Sequence, residues 1–130
     1  MSIPKTLEKQ VGGSHYKKYA IQPLEFAENI GLKPILFSAF KYVVRYKDKN
    51  GLQDLDKALH CLEIFNEIGK EKELFIGLDD LADFLKQFSK PHAKALFIIL
   101  QAQGNKNKLL NAKYAIEQLK MFMKKGITND

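Results

Sequence analysis

Phe40-Lys-Tyr-Val-Val-Arg-Tyr-Lys-Asp-Lys-Asn-Gly-Leu-Gln-Asp-Leu-Asp-Lys-Ala-Leu-His60 reads as the end of one helix, a short basic turn and the start of another. Lys41 and Arg45 are four residues apart, so a helix places them on one face. Lys47 and Lys49 carry the positive charge into the turn, and Asn50-Gly51 is a strong break signal. Asp54 falls in the first turn of the next helix, where a carboxylate suits the helix dipole. Lys57 and His60 follow at helical spacing. A helix, basic turn and helix in this order can gather several cations around one anionic ligand.

On either side of this stretch, proline and glycine punctuation predicts further helices. Pro23 can take a first helical position, and Gly31 closes a helix over about 23 to 30, with Leu24, Phe26, Ala27 and Ile30 inward. Pro34 opens the next, about 34 to 47. Ile35, Ala39, Val43 and Tyr46 form its apolar stripe, and Leu36, Phe40 and Val44 widen it, so Lys41 and Arg45 must occupy a narrow polar strip. The helix after Gly51, about 51 to 68, repeats Leu52, Leu55, Ala58 or Leu59, Leu62 and Phe65 at three- and four-residue steps. Residues 74–76 read as loop, because no second segment offers a strand partner. Helices over about 78 to 88, 91 to 103 and 106 to 125 complete an all-α, single-domain bundle of five to six helices. Its parts are an N-terminal arm (1–12), a site-bearing helical unit (13–69) and a C-terminal helical extension (70–130) packed on the same domain.

Composition bounds the function. The chain has 130 residues, 45% apolar and 28% charged, as expected of one globular domain. Its longest wholly apolar run, Ala95 to Leu100, is far too short to span a membrane. The first ten residues lack the apolar core of a signal peptide, and Cys61 is the only cysteine, which fits a cytoplasmic protein. The net charge is +6, yet twenty of the 21 cations are lysine and only Arg45 is arginine. Readers of nucleic-acid bases more often use several arginines, so a nucleic-acid partner is not expected. The planar fork of Arg45 suits bidentate contact with a phosphate.

A second cluster precedes the helices. Gly13-Ser14-His15-Tyr16-Lys17-Lys18 combines a permissive backbone with a hydroxyl, an imidazole, a phenol and two ammonium groups. Taken alone it is weak, since short Gly-Ser-His runs occur in many loops.

Together these blocks carry a family resemblance. Gly13-Ser-His-Tyr16, Ile21-Gln-Pro23, Lys41-Tyr-Val-Val-Arg-Tyr-Lys47, Lys49-Asn-Gly51, Asp54-Leu55, Lys57-Ala58 and His60 are similar to the pattern of a family of small bacteriophage proteins. One coliphage member is a nucleoside-monophosphate kinase that phosphorylates deoxynucleotides without a Walker motif. The resemblance covers about residues 11 to 67 and leaves the C-terminal half outside. Members usually carry tyrosine where Cys61 stands here, a change that bears on packing.

The resemblance implies a nucleotide-binding protein of the infected host's cytoplasm, with ATP as phosphoryl donor and Mg²⁺ accompanying it. It makes His15, Lys41 and Arg45 the catalytic candidates. Ser14, Tyr16, Lys17, Tyr42, Lys47, Lys49, Asn50, Lys57 and His60 become candidates for binding the nucleotide. Asp54 is the candidate Mg²⁺ ligand, or simply a helix cap. His15 is a general base or a phosphate contact. Tyr16, Tyr42 and Tyr46 are either stacking platforms or core residues, core being preferred for Tyr46. His60 is equally a site residue or a core histidine.

The chain holds no G-x-x-x-x-G-K-[ST], G-x-G-x-x-G or H-E-x-x-H motif, so side chains and helix ends would have to hold the phosphates. A non-catalytic binder that sequesters a host defence nucleotide needs the same cations. An all-α nucleotide pyrophosphohydrolase would need carboxylates on facing helices, for which Glu25, Glu28, Glu63 and Glu67 are the candidates. Non-specific DNA binding explains the charge but not its concentration between Ser14 and Lys57. Apolar stretches in the last two helices point to a homo-oligomer.

Overall fold

The structure is a computed structural model and describes residues 22–126. Among these residues it contains six α-helices, two short 3-10 turns and no strand. They are α1 (Pro23–Ile30), α2 (Pro34–Arg45), α3 (Leu52–Ile68), α4 (Leu78–Leu85), α5 (Lys90–Gly104) and α6 (Leu109–Lys124). The 3-10 turns are Tyr46–Asp48 and Lys106–Lys108. The protein is an all-α single-domain bundle, as the sequence periodicity predicts.

Proline opens both early helices. Pro23 and Pro34 stand in the first turns of α1 and α2, where a missing N–H costs no hydrogen bond. Gly31 closes α1 in the left-handed region, with φ 77°. Its N–H donates to the Glu28 carbonyl and that of Leu32 to the Ala27 carbonyl, a paired closure typical of helix ends.

The central layer is α2, which packs on α3 and α5, while α6 packs on α3 and α5. Leu36, Ala39, Phe40, Val43 and Val44 are all buried, so the inward face of α2 centres on Phe40. Ile35 lies at its edge. Phe26 of α1 stacks on Phe84 of α4, with ring centroids 4.1 Å apart and planes 10° off parallel. Phe40 lies 5.5 Å from Phe84, so three helices meet in one aromatic cluster. That cluster fixes the orientation of α1 and corrects one expectation. Leu24 is 55% exposed, because turning Phe26 and Ile30 inward carries Leu24 out to solvent.

Residues 69–77 form neither helix nor strand, as expected, but they are pinned. The Lys72 N–H donates to the Gln103 carbonyl and the Phe75 N–H to the Ile30 carbonyl, each at 2.9 Å. Gln103 is fully buried. Its side-chain amide donates to the Gly31 carbonyl at 2.9 Å and accepts from the Lys33 N–H at 2.7 Å. One glutamine of α5 thus satisfies the α1–α2 turn while its backbone holds the linker. None of the described helices is long and apolar enough to cross a membrane.

Candidate functional site

At its C-terminal end α2 tightens. The α-helical part stops at Arg45, and Tyr46–Asp48 continues as a 3-10 turn, where one continuous helix to about residue 47 was expected. The cause is long-range packing. His92 of α5 is buried and its Nε2–H donates to the Val43 carbonyl. Tyr46 is 1% exposed, its ring edge-on to the His92 ring. The core role preferred for Tyr46 is the observed one.

Gly51 then starts α3 at φ 55°, with its N–H bonded to the Tyr46 carbonyl at 2.9 Å. A Cβ there would also meet Met123 Sδ of α6 at 3.3 Å, so glycine suits both the backbone and the space. The contact places the end of α6 against the turn. Lys120 of α6 adds an ion pair to Asp56 of α3 at 2.7 Å.

Asp54 is in the first turn of α3 and is fully buried. One carboxylate oxygen accepts the Asn50 N–H at 3.1 Å, and the other accepts from Arg45 Nη2 at 3.3 Å. Both oxygens therefore have protein partners, and instead of capping α3 the carboxylate ties the preceding turn to the Arg45 guanidinium of α2. The arginine is held along the bundle surface, with 14% of its side chain exposed.

Held there, Arg45 faces Tyr42. Its guanidinium carbon lies 4.8 Å from the Tyr42 ring centroid. Lys41 Nζ lies 5.3 Å from the same centroid and Lys57 Nζ, from α3, 5.6 Å. Cations within about 6 Å of an aromatic face are attracted to its quadrupole. Among the described residues only Asp54 pairs with any of the three. The fold thus brings together Lys41, Tyr42, Arg45, Asp54 and Lys57 from the predicted set.

The other candidates are placed differently. Lys47, Lys49 and Asn50 are exposed on the turn beside the cluster, Asn50 contributing its backbone N–H to Asp54. His60 is not a core residue. Its side chain is 71% exposed, with Nδ1 3.9 Å from Glu63 Oε2. Ser14, His15, Tyr16 and Lys17 lie outside the described residues. Glu28, Glu63 and Glu67 are exposed and Glu25 is half-buried. Among the described residues no group of three or more His, Cys, Asp or Glu side chains could hold a metal. Asp54 has no such companions, so any Mg²⁺ here would rely on phosphate oxygens and water.

Three residues near the site escaped sequence reasoning as contributors. Cys61, one helical turn after Lys57, is half-buried; burial pushes its thiol pKa up while the nearby Lys41 ammonium pulls it down, the first effect winning. His92 and Lys120 come from the C-terminal half, and nothing in their local sequence marks them.

Residues 11–63 match the model of a family described as Protein of unknown function (DUF3310). The matched span contains the Tyr42 cluster and the turn, and stops within α3. No curated protein matches the chain, and no solved structure does.

Proposed function

We propose that the protein binds a phosphorylated nucleotide at the Tyr42 cluster and, as its leading activity, phosphorylates deoxynucleoside monophosphates. The observation that carries this reading is the gathering of Lys41, Arg45 and Lys57 around the Tyr42 ring, with Asp54 holding the guanidinium of Arg45. Like charges concentrated this way repel, and an anion inserted between them relieves the repulsion.

Phosphoryl transfer asks the protein mainly for positioning and for positive charge where negative charge builds up. Asp54 fixes the guanidinium of Arg45, which then meets phosphate oxygens in a set direction. Lys41 and Lys57 supply mobile point charges from two helices. Lys47 and Lys49 extend the positive surface toward a second set of phosphates, those of ATP carrying Mg²⁺. His15 is the proposed proton acceptor or phosphate contact, on the strength of the family resemblance alone. The setting is the cytoplasm of a phage-infected cell.

A second reading, tight binding of a host signalling nucleotide without turnover, is favoured by one feature. Both oxygens of Asp54 already accept hydrogen bonds from the protein, which leaves this carboxylate poorly disposed to ligate a catalytic metal.

Product analysis separates the readings. The purified protein is incubated with each deoxynucleoside monophosphate, ATP and Mg²⁺, and the nucleotides are separated by chromatography. New diphosphate that disappears with Arg45→Ala supports the kinase. Triphosphate converted to monophosphate and pyrophosphate would instead indicate a hydrolase. Absence of turnover, with a nucleotide released from heat-denatured protein, would replace the kinase by the sequestering binder.

A further inference from the structure

Tyr42 is half-buried and packs against the core. Three cations stand around its ring: the Arg45 guanidinium carbon 4.8 Å from the centroid, Lys41 Nζ at 5.3 Å and Lys57 Nζ at 5.6 Å. A stacked nucleobase would need the same space, because the centroids of stacked rings lie about 4.5 to 7 Å apart. Lys41 and Arg45 come from α2 and Lys57 from α3, so like charges from two helices converge on one place. Left to themselves they would splay apart. The negative face of the ring attracts each of them and offsets that repulsion, and a phenylalanine ring has such a face too. Tyr46, at the end of α2, is buried and offers a base no face.

We infer that Tyr42 is a positioning residue for phosphate, not a stacking platform for a base. The ring gathers the cations, Asp54 sets the direction of Arg45, and the phosphate oxygens meet the charges so held. The ligand class this defines is a phosphate monoester on a sugar, with or without a base. Base-free deoxyribose 5-phosphate is then held at the cluster as a deoxynucleoside monophosphate is. The inference rests on the nucleotide reading for its ligand. It adds that recognition at Tyr42 is of the phosphate end and blind to the base.

Calorimetric titration with each deoxynucleoside monophosphate and with deoxyribose 5-phosphate tests this on the wild type, Tyr42→Phe and Tyr42→Leu. Tyr42→Leu should weaken both kinds of ligand by the same factor, roughly tenfold. Tyr42→Phe should stay within about twofold of the wild type, since it keeps the aromatic face. A second measurement needs no ligand. Protons above an aromatic face are shielded by its ring current. The ε-methylene resonances of Lys41 and Lys57 should therefore lie upfield of those of other lysines in the wild type, and return in Tyr42→Leu. Circular dichroism checks that both variants keep their helices. A loss confined to base-bearing ligands would show stacking, and would overturn the inference while leaving the nucleotide reading intact. Unshifted lysine resonances in the wild type, or a Tyr42→Phe variant as weak as Tyr42→Leu, would overturn it as well. A wild type that binds no phosphorylated ligand would overturn the nucleotide reading and this inference with it.

Discussion

Gln103 and Asp54, two buried polar side chains, hold opposite ends of helix α2, and they differ in kind. At its N-terminal end Gln103 reaches across from α5 and bonds only to backbone, the Lys33 N–H and the Gly31 carbonyl. At its C-terminal end Asp54 bonds to one backbone N–H and to the Arg45 guanidinium. The first clasp is neutral and closed within itself. The second is charged, and it turns a cation toward two others around Tyr42. A neutral clasp serves the fold, whereas a clasp that orients a cation within a cationic cluster also prepares a place for an anion.

That contrast can be broken by substitution. Gln103→Leu removes two hydrogen bonds and leaves a donor and an acceptor unsatisfied in the interior. It should lower stability by about 3 kcal/mol, read from urea unfolding, while any ligand affinity measured on the folded fraction stays near wild type. Asp54→Ala should cost about 2 kcal/mol through the lost bond to the Asn50 N–H and the stranded arginine. Unlike the first change it should also weaken ligand binding, because Arg45 loses its anchor. If both variants lose stability but neither affects binding, the proposed division of labour is wrong.

Smaller effects sharpen the same contrast. Lys57→Ala, at an exposed position, should change stability by less than about 0.5 kcal/mol yet weaken phosphate-dependent binding several-fold, seen by titration calorimetry. Cys61 provides a local reporter. Its raised thiol pKa means the folded state prefers the protonated form. The stability this contributes is present at neutral pH and lost as pH climbs through the alkaline value of the folded thiol. Alkylation of Cys61 should therefore be slow near neutrality and accelerate only in the alkaline range. A bound anion that offsets the Lys41 charge should slow it further, which mass spectrometry of the labelled protein would show.

Much of the fold is legible in the sequence because its punctuation is local. Pro23, Pro34 and Gly31 set helix ends by backbone geometry alone, and Asn50-Gly51 marks the turn that the structure places before α3. The apolar steps of α3 and α6 name buried residues such as Leu55, Leu62, Ile116 and Leu119. What could not be read depends on distant partners. Leu24 faces out because Phe26 stacks on Phe84. The 3-10 end of α2 depends on His92, which lies 49 residues from Val43. Gln103 bonds to Gly31 across 72 residues. In the candidate site, helical spacing alone puts Lys41 and Arg45 on one face. The addition of Lys57 from the next helix needed the packing of α2 on α3. His60 follows the same helical spacing yet points to solvent, since spacing along one helix does not say which neighbour a face meets.

The most direct test is calorimetric titration of the wild type and Arg45→Ala with each deoxynucleoside monophosphate and with inorganic phosphate. At least one nucleotide should bind the wild type, with binding weakened roughly tenfold or more in the variant, a loss of about 1.4 kcal/mol. The variant's far-ultraviolet circular dichroism should be unchanged. Equal binding by the two proteins, or no binding of any phosphorylated ligand by the wild type, would contradict the assignment of the Tyr42 cluster as an anion site.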